Sequence, residues 1–162
     1  MVGVKVTYEE RVMNLFDIGM DYYICHCISS DAKMGRGIAV EIDRAFGTKS
    51  EIMRDYGKTL MTEFQKDVSN GGCGGTCVVC GRVINLVTKE WYWHKPTYSS
   101  MRQALRSMKD KCEELEITKV AMPKIGCGLD KLDWGKVRDI IFDVFDDSDI
   151  EILVCVYGGN KQ

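Results

Sequence analysis

Met122-Pro123-Lys124-Ile125-Gly126-Cys127-Gly128-Leu129-Asp130-Lys131-Leu132-Asp133-Trp134 joins the apolar run Ile117 to Met122 to a helical pattern that begins at Trp134, by way of a glycine turn. A strand, a glycine loop and a helix in that order make a phosphate-cradling unit. Small residues let backbone N–H groups turn toward an anion, and the helix start adds partial positive charge. Asp130 stands at the lip of the loop, where it can serve chemistry or simply start the turn into the helix, a position aspartate favours. The unit occurs twice. Tyr22 to Ile28 is an apolar run of strand length, Ser29-Ser30-Asp31 is turn chemistry, and Gly35-Arg36-Gly37 precedes Ile38, Ala39, Ile42, Ala45 and Phe46 at helical spacing. On one parallel sheet the two loops would share the carboxyl edge, where open α/β folds bind ligands.

Working outward, Val2 to Thr7 alternates weakly and reads as a first strand, with Arg11 to Asp17 continuing its pairing before a turn. Gly47 stops the helix over Ile38 to Phe46, and Ser50 to Tyr56 reads as a short helix ended by Gly57. Lys58 to Val68 reads as a strand, and Cys77 to Thr88 as a second extended run. The turn signal Asn70-Gly71-Gly72-Cys73-Gly74-Gly75 between them predicts a β-hairpin with a long glycine-rich tip, and hence a mixed sheet. After the aromatic loop Trp91 to Pro96, Ser100 and Gln103 suggest a capping box for a helix marked by Met101, Ala104, Leu105, Met108, Cys112 and Leu115. Trp134, Val137, Ile141, Val144 and Phe145 mark the last helix, and Ile150 to Tyr157 the last strand. The alternation predicts one α/β domain over 1–162, with helices on both faces of the sheet.

The 162 residues are 45% hydrophobic and 28% charged with a net charge of −2, a globular composition. That charge argues against strong nucleic-acid binding through a basic face, but not against a nucleotide held by backbone amides. The sequence has no apolar run long enough to span a bilayer and no basic-then-apolar leader, so no membrane partner is expected. Cys25, Cys27, Cys127 and Cys155 lie in apolar runs and Cys112 on a helix, the pattern of buried free thiols in a reducing, intracellular compartment, cytoplasmic or nuclear.

Cys73, Cys77 and Cys80 offer three thiols, but a structural zinc needs four ligands, and the odd spacing of Cys77 and Cys80 puts them on opposite sides of a strand. No metal or cofactor is expected. Trp91 to Lys95 can stack a base or cover a core edge. His26, inside an apolar strand, reads as a core histidine, and Arg36 as a surface residue or a phosphate contact. Lys89 follows a buried strand directly, so its base is anchored while its amine can reach inward. A lysine serves as nucleophile only after losing its proton.

Three segments together resemble the macro domain family, in particular its branch of terminal ADP-ribose protein glycohydrolases. They are His26 to Val40, continuing to Phe46-Gly47; Leu86 to Lys89 with His94 to Tyr98; and Met122 to Trp134. The resemblance implies a three-layer α/β/α fold around a mixed sheet of about six strands and a cleft for ADP-ribose at the strand ends. It places Pro123, Ile125, Gly126, Cys127, Gly128 and Leu129 around the diphosphate. Met34, Gly35, Arg36, Gly37, Ile38 and Ala39 fall beside the distal ribose and phosphates, with Ser29 and Asp31 in the same loop. Where the branch usually carries Gly-Asp-Leu-Phe, with the aspartate on the adenine amino group, this chain has Met13-Asn14-Leu15-Phe16; Asn14 can still accept through its amide oxygen but brings no charge. Tyr157 would stack on the adenine.

The activity so implied is release of ADP-ribose from a derivative at the distal ribose. The Lys89 amine attacks C1″ of the ring-opened sugar and Asp130 shuttles protons. The implied partners are ADP-ribose, its derivatives and ADP-ribosylated proteins. A glutamate or aspartate ester on protein, O-acetyl-ADP-ribose and ADP-ribose 1″-phosphate remain open as substrates, the last a phosphatase reaction known from related macro domains. A reader that binds ADP-ribose without turnover is the alternative of a different class, and it needs neither Lys89 nor Asp130.

Overall fold

A computed structural model describes residues 7–156. The elements are β1 (Thr7–Val12), β2 (Tyr23–Ser29), α1 (Ile38–Phe46), α2 (Thr48–Asp55), α3 (Thr59–Ser69), β3 (Thr76–Cys80), β4 (Val83–Lys89), α4 (Tyr98–Leu115), β5 (Lys119–Met122), α5 (Trp134–Val144) and β6 (Glu151–Val156), with a 3-10 turn at Leu15–Asp17. The strands form one sheet in the order β1-β6-β5-β2-β4-β3. Every pairing is parallel except β3 with β4.

Alternation along the strands builds the layers. Cys25, Ile84, Leu86, Val120, Met122, Ile152 and Val154 meet α4 and α5 on one face. Ile28, Val78, Cys80 and Val87 meet α1, α2 and α3 on the other, beside a third cluster around Ile24, Ile42, Val83 and Leu153. Central parallel strands covered on both sides read as unbroken apolar runs, and the sheet is the expected mixed, six-stranded one.

Four expectations change. Lys58 to Val68 is helix α3, because Leu60 and Phe64 recur at a spacing of four and bury one face. The hairpin is β3–β4, closed by Gly81 and Arg82 with Gly81 at φ +55°, and the run Cys77 to Thr88 is these two strands. The glycines over 71–75 instead connect α3 to β3. A Cβ at Gly74 would sit 2.3 Å from the Phe64 ring, so they serve close packing. The capping box of α4 is Thr97 with Ser100, each side chain bonding the other's backbone N–H at 2.9 and 3.0 Å. The first strand is β1; residues 2–6 of the expected strand lie outside the described residues, and Arg11 to Asp17 is the end of β1 and the 3-10 turn.

His26 and Asn85 form a polar pair inside the core. Asn85 donates from Nδ2 to the Val78 and Val83 carbonyls at 3.1 and 3.4 Å, which turns Oδ1 toward His26 Nε2 at 2.6 Å; His26 therefore donates from Nε2. Its Nδ1 has no partner among the described residues, so the core histidine is only half satisfied there. Burial pulls its protonation down from 6.5 to about 4, with the Asn85 bond opposing. Between those values the unfolded chain takes up a proton there and the folded chain does not. The stability present above pH 6.5 is thus lost as pH falls toward about 4. At pH 5 the loss is about 2 kcal/mol by linkage. Urea denaturation at pH 7 and pH 5 should show it, and His26→Gln should be less stable at both but nearly flat between them. An equal pH slope in that variant would assign the effect elsewhere.

Candidate active site

The strand order puts β5, β2 and β4 side by side and parallel. Their carboxyl ends therefore open at one edge, with the 123–133 loop after β5, the 30–37 loop after β2, and Lys89 at the end of β4. The β2–β4 register slips at this edge, Ile28 facing Val87 and Ser29 facing Lys89, so Lys89 leaves the ladder at an irregularity. Such bulges recur where a side chain is re-aimed beside a site.

The loop after β2 is held in a demanding conformation. Ala32, Met34 and Gly37 have φ of +51°, +48° and +62°. Ser29 Oγ and the Lys33 N–H both donate to Asp31, and Ser30 Oγ donates to the Glu90 carbonyl at 2.7 Å. Gly37 begins α1 without a capping side chain, which leaves the helix start open to a ligand. The loop after β5 turns at Gly126, φ +74°, where a Cβ would lie 2.8 Å from Met101 Cε. Leu132 N–H to Gly126 O at 2.8 Å closes it, and Lys95 Nζ donates to Leu129 O at 2.7 Å.

Between the loops lies a cavity of about 320 Å³. On its wall Lys89 Nζ donates to Asp130 Oδ1 at 2.7 Å, each side chain only 15% exposed. Asp133, with its oxygen on the Lys136 N–H at 3.1 Å, caps α5, which leaves Asp130 free of that role. The thiols nearby are poor rivals as nucleophiles: burial raises Cys27, and pushes Cys127 up to about 11.

Most of the expected ligand residues line this cavity: Ser29, Met34 through Ala39, Pro123, Ile125, Gly126, Gly128, Leu129, and the pair Lys89 and Asp130. Arg36, open between two readings in the sequence, is among them. Four do not line it. Asn14 Oδ1 accepts from the Phe16 N–H at 2.9 Å and starts the 3-10 turn, and Leu15 is core. Asp31 is a brace, its second oxygen on the Tyr92 N–H at 3.2 Å. Cys127 turns its thiol to the Ile125 carbonyl. Tyr157 lies outside the described residues. The lining also includes Lys33, Tyr92, Trp93, Lys95 and Lys124. The run Trp91 to Lys95 is the visible signal for Tyr92, Trp93 and Lys95; Lys33 and Lys124 have none.

No convergent thiol set forms from Cys73, Cys77 and Cys80. Cys73 is exposed, Cys77 packs in the α4 layer and Cys80 in the opposite one.

A family model described as Macro domain matches residues 25–141. The chain belongs to the macro domain family. This macro domain is 37% identical over 154 residues to ADP-ribose glycohydrolase OARD1 of Bos taurus, covering 94% of this chain and 91% of that protein. The Homo sapiens protein of the same name is 36% identical over the same coverage. The macro domain fold is shared with the macrodomain of Thermus aquaticus DarG at a TM-score of 0.70 and 20% identity, covering 92% of this chain and 97% of that one. Thermosipho africanus DarTG in complex with ADP-ribose gives a TM-score of 0.72 at 15% identity, over 98% of this chain and 45% of that one.

Proposed function

We propose that this macro domain is an ADP-ribosyl hydrolase that releases ADP-ribose from an ester at the distal ribose, such as one on a protein glutamate or aspartate or on acetate. The observation that carries this reading is the 2.7 Å contact of Lys89 Nζ with Asp130 Oδ1 on the wall of the two-loop cavity. The likeness to ADP-ribose glycohydrolases over nearly the whole chain supports it. A reader module needs only the loops.

Asp130 accepts a proton from the Lys89 ammonium, which frees the nitrogen lone pair. The amine attacks C1″, and the bond from C1″ to the ester oxygen breaks, the carboxylate leaving with the electron pair. Water then attacks C1″ and the carbon–nitrogen bond breaks with its electron pair returning to nitrogen; Asp130 gives its proton back to the Lys89 amine, and the proton released by the water passes to solvent. The backbone amides of the two loops and the start of α1 hold the diphosphate and fix C1″ against the amine.

Calorimetry with ADP-ribose should give saturable binding; no heat at millimolar ligand would overturn the reading at its root. A panel of glutamate-modified protein, O-acetyl-ADP-ribose and ADP-ribose 1″-phosphate, assayed side by side, separates the leaving groups. The esters are expected to turn over, and turnover of the phosphate alone would assign a phosphatase.

A further inference from the structure

We propose that Tyr92 and Trp93 form a subsite for an acidic peptide, the segment that carries the modified carboxylate. The proposal rests on the hydrolase reading and adds to it a residue-level determinant of substrate choice.

Two large aromatic side chains stand in water at the rim of the cavity, Trp93 60% exposed and Tyr92 45%. Single exposed apolar residues are ordinary, but these are adjacent and held in place. Trp93 stacks on Trp91 with centroids 5.1 Å apart and planes at 15°, and Tyr92 meets Trp93 edge-on at 5.1 Å. The Tyr92 N–H is bound to Asp31, which also braces the loop after β2, so the shelf and the cavity wall are one construction. Tyr92 and Trp93 line the same cavity as Lys89 and Asp130. Ordered aromatic faces gather contact area at little entropic cost, as they do in peptide-binding surfaces.

Charge names the partner. Lys33, Arg36, Lys95 and Lys124 line the cavity, and the one lining carboxylate among the described residues, Asp130, is paired with Lys89. Lys33 Nζ stands 5.6 Å over the Tyr92 ring. The whole chain carries −2, so this mouth is more positive than the chain as a whole. A nucleic-acid strand needs a basic track along successive phosphates, whereas an acidic peptide needs cations only beside the modified residue.

The test compares wild type with the double variant Tyr92→Ala/Trp93→Ala on three substrates. They are a glutamate-rich peptide ADP-ribosylated on one glutamate, O-acetyl-ADP-ribose, and an ADP-ribosylated single-stranded oligonucleotide. Loss of the shelf should raise KM for the peptide about tenfold, as for removal of an aromatic contact pair. It should raise KM for the peptide at least fivefold more than KM for O-acetyl-ADP-ribose, which has no flanking peptide, and leave kcat for the peptide within about twofold. A peptide with neutral flanks should already show the higher KM with wild type. Equal losses on peptide and O-acetyl-ADP-ribose, or no loss on either, would overturn the subsite while leaving the hydrolase. A selective loss on the oligonucleotide would overturn the peptide assignment in favour of nucleic acid. Wild type that binds ADP-ribose yet turns over none of the three would overturn the hydrolase and the subsite together.

Discussion

Lys89→Ala is expected to lower release of ADP-ribose from glutamate-modified protein by about a thousandfold or more, the scale seen when a nucleophile is removed. Affinity for ADP-ribose should stay within about threefold, because in the proposed binding mode the diphosphate rests on backbone amides of the two loops and not on Lys89. The substitution also leaves the part-buried Asp130 carboxylate without its ammonium, so a loss of activity through distortion has to be separated from a loss of chemistry. Lys89→Arg makes the separation. A guanidinium can keep the charge pair with Asp130, but it does not give up a proton and cannot attack C1″. Both variants should be inactive, and the arginine one nearly as stable as wild type. Asp130→Ala keeps the amine but removes its proton acceptor; intact-mass analysis of that variant with substrate should be searched for an adduct on Lys89. Full activity in Lys89→Arg would remove the covalent step and leave the fold and the cavity untouched.

Gly75→Ala should be strongly destabilising, more so than Gly47→Ala among the described glycines. A Cβ there would stand 2.1 Å from the Ser100 carbonyl oxygen and 2.8 Å from the Ala104 nitrogen, both backbone atoms of α4. Backbone does not rotate away as a side chain does, so β3 and α4 must separate. A cost of about 3 kcal/mol or more follows, the upper range for overpacking. The contact is locked from the other side too, since Gln103 Nε2 donates to the Gly75 carbonyl at 2.9 Å and Oε1 accepts from the Cys73 N–H at 2.9 Å. The same α4 turn holds the end of β4, Ser100 Oγ donating to the Thr88 carbonyl at 2.7 Å one residue before Lys89. Displacing α4 should therefore also impair turnover. Gly47→Ala is the fitting contrast: nothing lies within 4 Å of its Cβ, and only its left-handed φ of +65° resists, for about 1 kcal/mol. Urea midpoints that rank the two variants the other way would refute the packing argument.

The sites that were legible in the sequence share a local cause. Gly35, Gly37, Gly126 and Gly128 announce backbone that approaches a ligand, and the residues around them line the cavity. Lys33 and Lys124 are not legible, because a lysine on a loop looks the same whether it faces water or a cleft. The misread of Lys58 to Val68 has a plain source. The glycine run after it looked like a hairpin tip, and that pulled the segment toward strand, although Leu60 and Phe64 already kept helical time. Asn14 shows a role that the motif does not announce: its short amide accepts from the Phe16 N–H two residues on, the local bond that asparagine favours at a helix start.

By itself the sequence determined the α/β alternation, the two strand–glycine loop–helix units and the chemistry available at them, because periodicity and glycine placement act over a few residues. Which strands are neighbours is a matter of long-range packing, and only the tertiary structure decided it. The order β5-β2-β4 brings the two loops to one edge and sets Lys89 against Asp130, 41 residues apart in the chain. Asp130 changes most between the two levels. In the chain it is an aspartate near a turn, with two readings; in the fold Asp133 takes the cap, and Asp130 is left with the lysine.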